Sequence, residues 1–363
     1  MKPRQSRPRR PNPTREFPTG ERALIAAIRD RALRPKANLR IGIGDDAAVL
    51  RIPAGDELIV TTDFSLEQIH FRRDWHIPEV IGHRCLARGL SDVAAMGARP
   101  LAAFLSIAIP AELDTPSPGK SWVTRFFDGF LALADRYKVP LAGGDTAQSP
   151  EFDQRGQKHA ALVTADIVLL GSIKRGHALL RSRAHAGDVI YVTGELGGAA
   201  AELLAAGRNP DHFANLARAQ KNHPHLFPEP RVEVGLKLVS GRKAHAAIDL
   251  SDGLSTDLLH VCEESGLSAE LDAAAIPIHP LAAQAEHDGW VPSALALALH
   301  GGEDYELLFT APKWSPIPRK IAGVNIHPIG QMLPRRPRHA RIVLHERDGR
   351  STALEAAGWE HFR

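Results

Sequence analysis

Apolar and polar positions alternate with two different periods along this chain, and the switches between them mark its elements. Residues 21–33, ERALIAAIRDRAL, put Leu24, Ile25, Ile28 and Leu33 on one side at helical spacing. ELIVTTDF then reads as a strand that arrives at Asp63. PEVIGHRCLARGLSDVAAMGA is helical, with Val80, Ile81, Leu86, Leu90, Val93 and Met96 as its apolar positions. PLAAFLSIAIP reads as a buried strand, KSWVTRFFDGFLALADRYKV as a helix, and a short strand leads into LAGGDT. HAALVTADIVLLGSI is a long apolar strand that closes a first domain near Ile173. A second unit opens with GDVIYVTGELGGAAAELLAAG, a strand, a glycine turn and a helix. PRVEVGLKLVS is helical, HAAIDLSDGLSTDLLHVCEESG is strand, turn and helix, and HGGEDYELLFTAP is a turn into a strand. Strands and helices alternate throughout, so the class is mixed α/β (α+β) in two domains, 21–173 and 174–363. The pattern resolves no sheet order.

Composition narrows this only a little. The 363 residues are 44% apolar and 24% charged, enough for a core without staples. No run of about 18 uncharged apolar residues appears, so no membrane span is expected. Cys85 and Cys262 stand alone in apolar helical patterns and are expected as buried free thiols, which suits a reducing cytoplasm. The net charge of +3 is misleading. Residues 1–20 hold six Lys/Arg and one Glu, or +5, which leaves +3 − 5 = −2 for the rest. With five prolines and no apolar h-region, this basic tail reads as a disordered, solvated extension rather than a secretory leader. The remainder gives no reason to expect nucleic-acid binding.

Three stretches imitate phosphate loops. DTPSPGKS, residues 114–121, lacks the first P-loop glycine, and its two prolines remove backbone donors. It reads as a polar loop that caps the next helix. GIGDDA fits a dinucleotide fingerprint but is followed by β-branched residues and a Pro/Gly turn rather than a helix. TGELGGAAAELL is a glycine turn from strand to helix, equally well explained by close packing.

Aspartates at strand ends and glycine turns are the stronger signal. They occur in GDD (Asp45, Asp46), TTD (Thr61, Thr62, Asp63), LSD (Asp92), GGD (Asp145) and DLSDG (Asp249, Ser251, Asp252), with Glu303 and Asp304 in GGED. Each alone has an ordinary turn or capping role available. Their flanks are apolar, however, so the carboxylates emerge from core elements. Carboxylates that meet there repel one another unless a cation intervenes. Oxygen ligands of this kind suit Mg²⁺, which also shares its coordination with substrate phosphates. Spacing alone does not establish that they converge.

The ordered set GIGDDAAV, TTDFSLEQIHF, LSDVAAMGARP, AGGDT, AIDLSDGLSTDL, GGEDYELLFT and terminal GWEHF closely resembles the thiamine-monophosphate kinases. These belong to the superfamily of aminoimidazole ribonucleotide synthetase and selenophosphate synthetase. The resemblance runs from about residue 21 to 363. It implies an N-terminal ATP/Mg-binding domain whose sheet pairs with a second subunit in a homodimer, and a C-terminal α+β domain. It also implies an ATP cleft between domains and across the dimer, and transfer from ATP to thiamine monophosphate to give thiamine diphosphate. Carried over by position, the Mg²⁺ ligands fall on Asp46, Thr61, Thr62, Asp63, Asp92, Asp145, Asp249 and Asp252. The ATP contacts fall on Gly144, Asp145, Arg181 and Ser251, and the thiamine-phosphate contacts on His70, Glu303 and Trp359. Two departures stand out. Ala147-Gln148 follow GGDT where Thr-Arg is usual, so no phosphate-binding arginine is expected there. Gln68 stands where a small residue is usual, which bears on the reach of His70. Arg183, two residues from Arg181, competes for its assignment.

These assignments imply direct in-line transfer with several Mg²⁺ ions, since the nucleophile is already a phosphate oxygen and needs no protein base. No covalent nucleophile is assigned. Among related chemistries, selenophosphate synthesis is disfavoured because no Cys precedes GDD, and ribonucleotide cyclisation by GGEDYEL and GWEHF. A nucleotide-binding regulator without turnover is disfavoured by retention of every acidic motif.

Overall fold

The computed structural model describes residues 20–32, 38–115, 119–154, 157–159, 161–209 and 223–360. The basic tail expected over 1–20 lies outside these, except for Gly20. Helix α1 (Glu21–Ala32) precedes a small ribbon of β1 (Leu39–Ile41) and β2 (Val49–Leu50), with GIGDDA as the loop between them. No helix follows that loop, so its fingerprint is a decoy, as expected. Next come β3 (Asp56–Leu66), α2 (Pro78–Ala95), β4 (Arg99–Ile109), α3 (Trp122–Arg136) and β5 (Leu141–Gln148). A short hairpin of β6 (Phe152–Gln154) and β7 (Gln157–His159) leads to β8 (Thr164–Lys174). The sheet order is β3-β8-β4-β5, antiparallel except for β4 against β5, whose connection runs through α3.

Local chemistry explains the helices on this sheet. Ser121, at the end of the DTPSPGKS decoy, caps α3 by accepting from the Thr124 amide at 3.3 Å. Val123, Phe126, Phe127, Phe130 and Leu133 then recur at helical spacing and are buried. Helix α3 lies directly on α2 because a side chain is missing at both contacts. A Cβ at Gly82 would stand 1.9 Å from the Phe126 carbonyl oxygen, and one at Gly129 1.8 Å from that of Glu79. Helix α2 is unusual in having 15 of its 18 residues buried. It lies between the first sheet, α3 and the second half of the chain, so even its polar residues are enclosed.

The second half holds β9 (Val189–Thr193), α4 (Gly198–Arg208), α5 (Val232–Ser240), β10 (Ala246–Asp249), α6 (Leu254–Glu264) and β11 (Leu267–Asp272). It continues with α7 (Pro280–His287), α8 (Ala294–His300), β12 (Leu307–Ala311), β13 (Lys320–Ile321), β14 (Val324–Pro334), β15 (Ile342–His345) and β16 (Ser351–Ala353). The sheet order is β10-β12-β9-β14-β11-β15-β16, with β13 on β14. Among the strands described in this sheet only β11 and β15 pair in parallel, so this half is α+β. One apolar core covers the first sheet and extends unbroken through α2 into Val234 and Leu238 of α5 and Phe309 of β12. A second core fills the space under α6. Cys85 and Cys262 are buried, unpaired thiols, as the sequence implied. Among the described residues no helix is long and apolar enough to cross a membrane.

Candidate functional site

Alternation along β3 decides which motif residues meet. Successive side chains leave a strand on opposite faces. Thr61 and Asp63 therefore point toward α2, while Thr62 faces outward and donates to Asp166 of β8 at 2.7 Å. On α2 the Asp92 carboxylate accepts from the Thr61 hydroxyl. Strand β10 ends on Asp249, whose carboxylate accepts from the Ser91 hydroxyl at 2.7 Å. Three aspartates from three elements thus gather at the junction of the two halves. Burial, then the Asp92 charge, pushes Asp63 up to about 6. The same two causes push Asp249 up to about 7. Burial also raises Asp92, against the Thr61 hydrogen bond and the charges of Arg181 and Arg88. Carboxylates that resist ionisation beside one another, with a hydroxyl among them, form an all-oxygen donor set suited to a hard divalent cation.

The neighbouring turns are held open rather than filled. At the start of α6 the Asp257 carboxylate accepts from the amides of Asp252 (3.2 Å) and Gly253 (3.1 Å). It supplies the cap that Asp252 would otherwise provide. Ser251 and Asp252 line the cleft instead. The GGED turn docks on this loop through Glu303 N–H to the Ser251 carbonyl (2.8 Å) and Tyr305 N–H to the Leu250 carbonyl (2.9 Å). Glu303 and Tyr305 hold φ of +67° and +50°, a left-handed conformation that costs a side-chain-bearing residue about 1 kcal/mol or more. Trp359 closes the same corner, because its backbone N–H donates to the Asp252 carbonyl at 3.1 Å. The Trp359 ring is 54% exposed at the cleft mouth and fills no core.

The resulting cleft, about 990 Å³, brings together Asp63, Asp92, Asp249, Ser251, Asp252, His70, Glu303 and Trp359. The His70 ring packs back on its own loop, where Nδ1 accepts from the Leu66 amide at 3.0 Å. The Gln68 departure has a backbone consequence, since this residue sits at φ +72° where a glycine would be unstrained. Around Glu303 lies a layer that motif reading missed. Arg84 donates to Glu303 Oε1 at 2.6 Å, His225 Nδ1 lies 3.1 Å from Oε2, and Arg88 stands 4.0 Å away. Burial opposes ionisation of Glu303, but Arg84, His225 and Arg88 together hold it well below the usual carboxylate range. His225 Nε2 meets His76 Nε2 at 2.9 Å, and His76 Nδ1 accepts from the Arg72 amide at 3.2 Å. Burial lowers both imidazoles, which keeps this chain neutral. Its segment is anchored by Glu202 of α4, which accepts from the His225 amide at 2.8 Å.

Other motif residues stand elsewhere. Asp46, Gly144 and Asp145 line a separate cavity of about 350 Å³ beneath α1. Arg181 lies on a 3₁₀ turn, and its charge offsets part of the rise at Asp92 and Asp249. Arg183 instead donates to the carbonyls of Gly176 (3.3 Å) and Ala178 (3.4 Å). Asp304 turns away from the cleft. Its carboxylate receives the Gly197 (2.7 Å) and Ala199 (3.2 Å) amides at the start of α4, and burial raises it to about 7. Among the described residues the trio whose possible ligand atoms all lie within 4.8 Å of one another is His185, Asp188 and His245, outside the cleft; the cleft aspartates do not close to that spacing. There Asp188 already accepts from the His185 amide, the Thr310 hydroxyl and His245 Nδ1.

The chain matches the AIR synthase related proteins, their N-terminal domain over residues 44–172 and their C-terminal domain over 185–312. It is 33% identical over 344 residues to a thiamine-monophosphate kinase of Bacillus subtilis, covering 94% of this chain and 98% of the relative. A solved thiamine-monophosphate kinase from Stenotrophomonas maltophilia superposes with TM-score 0.70 at 34% identity, covering 91% of this chain and 96% of that one. AaThiL complexed with AMPPCP and TMP superposes with TM-score 0.69 at 28% identity, covering 94% and 97%. With the likeness extending over nearly the whole chain, the protein belongs to the thiamine-monophosphate kinase family.

Proposed function

We propose that this protein transfers the γ-phosphoryl group of ATP to thiamine monophosphate, giving thiamine diphosphate and ADP. The observation that carries the reading is the convergence of Asp63, Asp92, Asp249 and the Ser251–Asp252 turn with Glu303 and Trp359 in one cleft between two halves of the chain. The halves are taken as domains 21–173 and 174–363, in keeping with a first sheet that ends at Lys174 and a second that starts at Val189. The attacking atom is a phosphate oxygen of the substrate, largely dianionic near neutral pH with a second pKa of about 6. No side chain has to remove a proton, and none is assigned as nucleophile. What remains is electrostatic: two anions have to meet in line.

Asp63, Asp92, Asp249 and Asp252, with the Thr61 hydroxyl, would hold Mg²⁺. The bound ions supply charge neutralisation of the phosphates. Ser251 and Arg181 orient ATP, with Arg183 occupied by its loop carbonyls. Glu303 and Trp359 receive the heterocycles, the carboxylate by charge and the exposed indole by stacking. His70 stands at the edge of this subsite. Asp46, Thr62, Gly144 and Asp145 are assigned to the nucleotide and metal site of a homodimer. The outer face of the first sheet favours that dimer, because Leu58, Val60 and Phe64 of β3 expose apolar side chains there. The reaction is placed in the cytoplasm, where ATP is supplied and free thiols persist.

The direct test is ADP formation, measured by a coupled assay, with thiamine monophosphate, thiamine and unrelated monophosphates as acceptors. Turnover that needs both thiamine monophosphate and Mg²⁺ is the expected result. ADP release at the same rate without an acceptor, or with every monophosphate alike, would remove the assignment.

A further inference from the structure

Arg84, Arg88 and Asp92 recur every four residues on α2, so they form a ladder on one face with rungs about 6 Å apart. The outer rungs have clear partners. Arg84 binds Glu303 at 2.6 Å, and Asp92 takes the Thr61 hydroxyl. The middle rung has only long contacts. Arg88 lines the cleft, with Asp63 at 3.6 Å, Glu303 at 4.0 Å and the Tyr305 hydroxyl at 3.4 Å. Each distance exceeds the roughly 2.7–2.9 Å of a charge-assisted hydrogen bond. Its Nε is buried and has no hydrogen-bond partner. The side chain is only 18% exposed, so this is an enclosed cation whose five N–H donors make no short contact. Such an arrangement costs free energy unless an anion completes it.

The position of Arg88 identifies the anion. Glu303 and Trp359 mark the heterocycle end of the cleft, and Asp63, Asp92 and Asp249 the end where phosphoryl transfer is assigned. Arg88 stands between the two. We propose that Arg88 binds the phosphate of the acceptor and holds it in line between these ends, an inference that rests on the function proposed above. The guanidinium fork matches two phosphate oxygens, which a lysine ammonium does not. As a counter-ion for Glu303 it is redundant, because Arg84 and His225 already hold one carboxylate oxygen each. It also stays charged at any working pH, since the nearby Tyr305, Asp63 and Glu303 outweigh its burial.

The test compares thiamine monophosphate with thiamine, which lacks the phosphate, by titration calorimetry on wild type, Arg88→Met and Arg88→Lys without ATP. Arg88→Met should weaken binding of thiamine monophosphate about 10–100-fold while thiamine stays within about twofold. Arg88→Lys should show a smaller loss of the same selectivity. In turnover the KM for thiamine monophosphate should rise and that for ATP stay nearly constant. Equal weakening of both ligands, or an unchanged preference for the monophosphate, overturns the inference. If Arg88→Met fails to fold, Arg88→Lys decides, because it keeps the charge and removes only the fork. Wild-type protein that does not turn over thiamine monophosphate would instead remove the proposed function, a different outcome from loss of selectivity in the variants.

Discussion

Replacing Asp249 by Asn should make the metal-free protein more stable at pH 8 while abolishing turnover. Asp249 is fully enclosed, and burial followed by the Asp92 charge raises its carboxyl from 3.8 to about 7. The sign follows from linkage: the folded state keeps this proton to higher pH than the unfolded chain does. Its stabilising contribution is therefore complete below about pH 4 and is lost as pH rises to about 7. Ionising it at pH 8 costs about 3 units × 1.36, or roughly 4 kcal/mol. Part of that returns when Asp92 and Asp63 share the repulsion, so a net gain near 2 kcal/mol is expected for the neutral amide. The Asn side chain can still accept from Ser91, which preserves the local packing. At about 2.1 cal/mol/K per residue, 363 residues give an unfolding entropy near 0.76 kcal/mol/K, so Tm should rise by about 3 °C.

The measurement is thermal unfolding in EDTA at pH 5.5 and pH 8, then again with Mg²⁺ and AMPPCP at pH 8. Wild type should lose stability between the two pH values in EDTA and recover it with the metal and nucleotide. The variant should be flatter with pH and gain less from the addition. A lower Tm for Asp249→Asn in EDTA at pH 8, or an undiminished gain from Mg²⁺, would refute the account of this cluster as a cation site.

Direct transfer implies that the protein carries no label after incubation with γ-labelled ATP alone; a labelled protein able to pass phosphate to thiamine monophosphate would disprove it. Glu303→Gln should raise the KM for thiamine monophosphate about tenfold and that for ATP less than twofold, whereas matched changes with a lower Tm would mean that Glu303 only shapes its turn. Phe64→Asp, on the exposed face of β3, should convert a dimer into a folded monomer by light scattering; a wild-type monomer at micromolar concentration would remove the dimer reading.

Much of this was legible from periodicity and turn chemistry because those signals are local. The α3 helix is announced by Ser121 and its phenylalanine spacing, and β8 by its apolar run. Helices α7 and α8 gave no such signal, since PLAAQAEH and ALALALH are short and alanine-rich. The order of the second sheet depends on pairings between distant segments, such as β12 between β10 and β9. Among site residues, the aspartates were visible because carboxylates between apolar flanks are unusual. Thr62 and Asp63 are neighbours in TTD, yet strand alternation sends them to opposite faces. Asp166, which accepts from the Thr62 hydroxyl, was hidden because it lies between apolar neighbours in β8.

The arginines of α2 were missed for a deeper physical reason. In IGHRCLARGLSD a basic residue every fourth position resembles the solvated stripe of an amphipathic helix. That reading holds only when one face of the helix meets water. Here α2 is enclosed by sheet, α3 and α5, so charges at 84 and 88 have to be matched inside the protein. The matching partners arrive from far along the chain, Glu303 on a strained turn and His225 on a segment tied to α4. A helix whose apolar residues cover every face, yet which carries charges at four-residue spacing, therefore signals an internal polar site. Arg84 meets that requirement at 2.6 Å with a carboxylate from its own chain, whereas Arg88 reaches Asp63 and Glu303 only at 3.6 and 4.0 Å, and the phosphate proposed for it would complete its coordination.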